Sequence, residues 1–303
     1  MKKILKISLG VNSGESIETM LNAVRTAEEY NFSSVWISDA NKSKCPFSIA
    51  EIIAKNTAKI RIGVGLISPY IHKNREINQK IKNLSKRFGE RFELCIGPGD
   101  LNRLRENNVK IPKGEELSND LIKTMKWLKK EFKNDGVKCE IWIGAQGPIL
   151  LASAHNYDGV LINQSDIEMI KWSLENINET NKIKGKIGVI SSSMIKERAN
   201  KENKKIIKEA ALRIALGTIN KVLIKTEVYD EMVFLKQENK DRDFEEVMKL
   251  SSDEVTKQFS ISTNIEGIKD HLVKLKRIGV THFTFGYPQL LHNESIKLIG
   301  DNA

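Results

Sequence analysis

Residues 140–165 read EIWIGAQGPILLASAHNYDGVLINQS. The stretch opens on a short apolar run, Glu140–Ile143, breaks at glycines, and enters a helix-compatible segment near Pro148. A second apolar run follows at Gly159–Asn163. Runs this short, bounded by turn residues, read as buried strands, and a helix between two strands is the crossover that parallel pairing needs. The alternation continues in both directions. Further candidate strands are Ile4–Leu9, Ser34–Ser38, Ile60–Leu66, Phe92–Ile96, Lys186–Ser191 and Thr281–Phe285. Helical apolar spacing marks Ser16–Tyr30, Glu76–Lys86 and Leu117–Lys130. Strand–helix repetition on this scale predicts an α/β fold, a closed (β/α)8 TIM-type barrel, although an open doubly wound sheet shares the local pattern.

No Gly/Ser/Pro-rich linker divides the 303 residues, so residues 1–303 are expected to form one domain. The stretch Met194–Gln258 exceeds one crossover and reads as several charged helices. A helical elaboration at the barrel rim between the seventh and eighth strands is expected there, with a cover over a long ligand as the sharper alternative. Cys45, Cys95 and Cys139 are isolated, which argues against structural zinc and a disulfide framework and fits a reducing cytoplasm. The apolar run in MKKILKISLG is too short for a secretory signal, and no later run is long enough to span a bilayer. The net charge of +10 favours acidic partners. Because the basic residues are spread along amphipathic helices with acidic ones between them, solvated helix faces are expected rather than a nucleic-acid surface. His72, His155, His271, His282 and His292 form no HxxxH or HxE pair, so no metal site is expected.

Active sites of such barrels are built from the loops after the strands. Here those loops are ISDANKS with Asp39, GVGLISPY, IGPGD with Gly97, Gly99 and Asp100, IGAQGP, INQS, SSS and FGYP. Gly144, Ala145, Gln146 and Gly147 lie between a strand and a helix with proline in its first turn, where backbone N–H groups can face an anion. Glycine turns of this kind also arise for steric reasons alone. Asp100 can act as a rim acid or base, or simply cap the next helix, and Asp39 is the second catalytic candidate. Trp36 is expected in the core or the helix layer rather than beside a ligand.

Taken in order, ESIETMLNAVRTAEEYNF with WISD, IRIGVGLISPY, LCIGPGD, IWIGAQGP, DGVLINQS, FSISTNIEGI, RIGVTHFTFGYP and ESIKLIGD resemble the coenzyme F420-dependent 5,10-methylenetetrahydromethanopterin reductases, a branch of the bacterial luciferase-like group. The likeness spans nearly the whole chain and is thinnest between Met194 and Gln258. It implies a homodimer or larger homo-oligomer that passes a hydride from C5 of reduced F420 to the methylene carbon of a tetrahydropterin adduct. FMN is the alternative cofactor within the group. It also implies that Gly63, Val64, Gly65, Leu66 and Ile67 back the planar ring, with a non-prolyl cis peptide at Gly65–Leu66. The phosphate and tail contacts would fall on Gly144, Ala145, Gln146 and Gly147, with Asn163 and Ser165 nearby, and Asp100 beside the reacting rings. Two departures leave open a slow or inactive relative that binds F420 with a different substrate or in an interaction role, beside the alternative of an FMN-dependent luciferase-like monooxygenase: the resemblance implies a first-strand carboxylate where Ser8 stands, and a histidine after Asp39 where Ala40 stands.

Overall fold

The structure is a computed structural model that describes residues 5–39, 44–99, 104, 107–178, 185–197 and 200–302. Strands β1 (Lys6–Val11), β2 (Ser34–Ile37), β3 (Arg61–Ile67), β4 (Phe92–Ile96), β5 (Glu140–Gly144), β6 (Gly159–Asn163) and β7 (Lys186–Ile195) follow one another in space as in sequence, each parallel to the next. Strand β9 (His282–Gly286) lies between β7 and β1 and closes the cylinder, so the barrel expectation holds.

Strand β8 (Ser260–Thr263) is outside the barrel and was not foreseen in the sequence. It pairs with the far end of β7, Ser192–Ile195, which overshoots the predicted Ser191 limit. This overshoot carries the chain above the rim into the helices Lys201–Gly217, Asn220–Leu223, Tyr229–Asp241, Phe244–Leu250 and Asp253–Phe259. Leu212, Met232, Leu235, Val247 and Val255 give those helices a small core of their own.

Period-two alternation sorts the barrel side chains. Leu9, Val35, Ile62, Val64, Leu94, Ile96, Ile141 and Val160 point outward into the core shared with the surrounding helices. The inward positions differ by level. At the strand starts Arg61, Glu93, Glu140, Lys186 and His282 close the base. There Arg61 Nε donates to Glu93 Oε1 at 2.7 Å and Lys186 Nζ to Glu140 Oε2 at 2.5 Å. One level up, Trp36, Cys95, Trp142 and Leu161 form a separate inner cluster, with the two indoles edge-on at 5.5 Å. Trp36 is therefore core, but inside the barrel rather than in the helix layer.

Candidate functional site

The third inward level, at the strand ends, is rich in glycine. Its residues include Gly10, Gly65, Gly97, Gly144 and Gly286. A Cβ on Gly10 would stand 3.0 Å from Gly286 Cα, so these two backbones nearly touch. Across the mouth the room left by glycine is taken by one half-buried residue. A Cβ on Gly97 would lie 2.4 Å from Leu66 Cδ1, and one on Gly144 2.2 Å from the same atom. Leu66 thus lies over the ends of β4 and β5.

The Gly65–Leu66 peptide is cis, and the β3–β4 register shifts between Val64 and Ile67. Gly65 is compelled to be glycine by contact: a Cβ would meet both Cβ and the carbonyl oxygen of Cys95 at 2.6 Å. Of the five residues expected to back a ring, Gly65 and Leu66 face the mouth. Val64 and Ile67 are wholly buried in the outer core, and Gly63 lies deeper, beneath the face of Trp36.

Beyond Leu66 the chain is clamped to both neighbouring loops. Gly97 donates its amide to Ile67 O at 3.1 Å, and buried Ser68 donates its hydroxyl to Pro98 O at 2.7 Å. A Cβ on Gly99 would lie 2.8 Å from that of Ser68, so the Gly-Pro-Gly turn is shaped around this contact. On the other side His72 Nε2 donates to Asp39 Oδ2 at 2.9 Å, with side-chain exposures of 12% and 4% that place both groups out of bulk water. Asp39 is followed by Ala40 rather than the expected histidine, yet it meets an imidazole from another loop. Spacing could not reveal that partner, 33 residues away. Asp100 and Ala40 lie outside the described residues. Ser8 is fully buried one level below the mouth, hydrogen-bonded to Ser34 at 2.7 Å; the first-strand residue at mouth level is Gly10.

The GAQGP loop leaves β5 at Gly144, and Gly147 caps the short helix Pro148–Ala152 with proline in its first turn, as predicted. The Ala145 amide is already bonded to Leu161 O at 3.2 Å, so an anion cradle there would rest on the Gln146 and Gly147 amides. Gln146, Asn163 and Ser165 line one narrow cleft with room for about a water molecule, walled on its far side by Thr218, Gln258 and Phe259 of the helical insertion. The insertion thus sits at the rim and contributes one wall of this cleft. Ser165 is held from below by a hydroxyl contact to Ser191 at 2.5 Å. No cation lines this cleft among the described residues, and Asp166 does, so the net positive charge is not gathered there.

At the base, burial pushes the Glu93 carboxyl above the usual carboxylate range despite Arg61, and burial, with the nearby Lys186, Lys6 and Arg61 cations, pushes His282 down to about 4. These groups sit at the strand starts, away from the mouth, where a barrel holds its stability rather than its chemistry. Among the described residues no His/Cys/Asp/Glu group is placed to hold a metal, and no helix is long and apolar enough to cross a membrane.

Residues 5–282 match the luciferase-like monooxygenase family. Relatives include the 5,10-methylenetetrahydromethanopterin reductase of Archaeoglobus fulgidus, 29% identical over 91% of this chain and 92% of its own, and that of Methanopyrus kandleri, 23% identical over 92% of each. The backbone superposes on the coenzyme F420-dependent tetrahydromethanopterin reductase structure from Methanopyrus kandleri with a TM-score of 0.84, at 18% identity over 99% and 98% of the two chains. An F420-dependent secondary alcohol dehydrogenase in complex with an F420–acetone adduct superposes at 0.76, with 14% identity over 99% and 98%. The chain belongs to the luciferase-like monooxygenase family.

Proposed function

We propose, on the premise of that family, that this chain is a cytoplasmic F420-dependent 5,10-methylenetetrahydromethanopterin reductase acting as a homo-oligomer. Both reductase relatives align over more than nine-tenths of the chain, which supports the substrate assignment. The observation that carries the reading is the glycine-rich mouth: the inward residues of β3, β4 and β5 each start with a charge and end in glycine, and Leu66 lies across the ends of β4 and β5. A planar ring needs a flat seat with an apolar backing, and Gly97 and Gly144 let the Leu66 side chain lie across the strand ends, where any Cβ would displace it, so that Leu66 would be that backing.

Bound F420 supplies the hydride donor, and the protein's part is alignment and proton control. Leu66 would back the ring, the Gln146 and Gly147 amides would serve its anionic tail, and Asn163 and Ser165 would offer hydrogen bonds along the cleft. Asp100 is the acid–base candidate beside the reacting centre. The test is spectroscopic. Purified protein should bind F420 at micromolar concentration and, with the methylene-pterin added, bleach or restore the F420 absorbance; Asp100→Asn should bind but turn over slowly. No F420 binding ends the reading. Binding without pterin-dependent change would indicate another substrate, and FMN binding in place of F420 would indicate a flavin enzyme. Light scattering checks the oligomer.

A further inference from the structure

We propose that His72 and Asp39 form a latch that positions the ring-backing segment at the barrel mouth, with His72 as a positioning residue. The inference rests on the mouth's being a ring site, but the latch itself stands on geometry within one rim. Leu66 can back a ligand only if the chain after it is fixed. That chain leaves β3, turns at Ser68, and closes its turn through the amides of Ile71 and His72 onto Ser68 O at 3.1 and 2.9 Å. One end of the turn is tied to the loop after β4 through the Ser68 hydroxyl on Pro98 O. The other end is tied to the loop after β2 through the His72 imidazole on Asp39. Between them these bonds span three consecutive rim loops, with the backing residue in the middle one.

Both latch groups are withdrawn from water, at 12% and 4% exposure, which separates this pair from the many lysine–carboxylate contacts on the helix faces. A carboxylate this buried needs a donor, and a charge-assisted bond is stronger than a neutral one. Phe47 packs edge-on to the imidazole with centroids 6.0 Å apart, leaving it little room to swing away. On the open side Nδ1 faces Glu76 Oε1 at 3.9 Å, so the ring has an acidic neighbour beyond its buried one.

The test uses His72→Leu, which removes the donor at similar bulk, and His72→Gln, whose amide nitrogen can reach the place of Nε2. Two readouts are taken on each full-length variant, with melting temperature as a folding control. The first is amide hydrogen exchange over residues 66–72 of the ligand-free protein; the second is F420 affinity by fluorescence titration, with the pterin KM and kcat measured separately. The latch predicts that Leu speeds exchange in that segment and weakens F420 binding by about tenfold each. Gln should recover most of both, and the loss should fall on affinity and KM more than on kcat. Wild-type exchange in the Leu variant, or a Gln variant as impaired as Leu, overturns it. If the Leu variant does not fold, Gln alone decides: near-wild-type exchange supports the latch and tenfold faster exchange refutes it. Wild-type protein that binds no F420 would sink the functional reading, and the exchange measurement would still decide the latch.

Discussion

Replacing Gly144 by alanine would put a methyl group 2.2 Å from Leu66 Cδ1 and 3.5 Å from Cys95 Sγ. Ordinary carbon contacts lie near 3.5–4.0 Å, so Leu66 must withdraw by roughly 1.5 Å while Cys95 need not move. Gly144 does not occupy the positive-φ region, so alanine adds no backbone penalty and the effect is steric. Because the clashing atom is the end of a flexible, half-buried side chain, the stability cost should sit at the low end of overpacking, about 1 kcal/mol. Function should suffer more. The group that moves is the one proposed to back the ring, and a misplacement of about 1 Å can cost up to about a hundredfold in rate. Urea denaturation and steady-state kinetics on Gly144→Ala therefore should diverge, with near-normal folding and kcat/KM down by about ten- to a hundredfold. Adding Leu66→Ala removes the clash, so the stability losses of the two changes should fall short of additive by about 1 kcal/mol in a double-mutant cycle. Wild-type catalysis in Gly144→Ala, or strict additivity in the cycle, would refute the claim that Leu66 occupies the space above this glycine and serves the site.

Gly63→Ala makes the contrasting case. Its methyl would enter the face of Trp36 at 2.3–2.7 Å, and that indole is 3% exposed and wedged against Trp142, so urea melts should show a loss of about 3 kcal/mol or failure to fold. Arg61→Met strands the buried Glu93 carboxyl with only Lys186 at 4.0 Å, and should cost about 3 kcal/mol or more, most of it recovered when Glu93→Leu is added. His282 and His271 are both held down to about 4, mainly by burial, so the unfolded chain binds more protons than the native one between that value and the ordinary histidine pKa. Their contribution is intact above about pH 6.5 and is lost as pH falls toward 4, so the melting temperature should drop over that window, and less steeply in His282→Gln.

The barrel was legible because apolar runs bounded by glycine recur with helices between them, and the predicted strands Phe92–Ile96 and Gly159–Asn163 match the structure end for end. Strand β8 escaped because four residues, two of them buried, paired along one neighbour only, carry too little apolar signal to separate them from a loop. The overshoot of β7 escaped for the same reason: Ser192 and Ser193 look like a polar loop, although Ser193 is fully buried and bonded to Ser191 O. The Asp39–His72 pair was out of reach of any spacing rule, since the contact exists only after β2 and β3 lie side by side. The cleft wall from the helical insertion needed tertiary structure as well, for Thr218 and Gln258 stand at helix ends far in sequence from Gln146.

What the sequence did hold, once the strand phase is known, is the shape of the mouth. Reading every second residue gives Arg61, Gly63, Gly65 on β3; Glu93, Cys95, then Gly97 on and beyond β4; and Glu140, Trp142, Gly144 on β5. Each series starts with a charge and ends with a hydrogen atom in place of a side chain. A barrel interior is ordinarily filled in layers by branched residues and has no lumen. Here indoles fill it at mid-height, and at the top glycines admit the Leu66 side chain and close backbone contacts instead. The phase of the alternation thus decides two things together: which face of each strand meets the helices, and which end of the cylinder carries the glycines of the proposed ligand site. A one-residue slip would turn Gly97 and Gly144 outward and bring Ile96 and Ile143, both wholly buried in the outer core, into the mouth. The same register that builds the outer core therefore also builds the site.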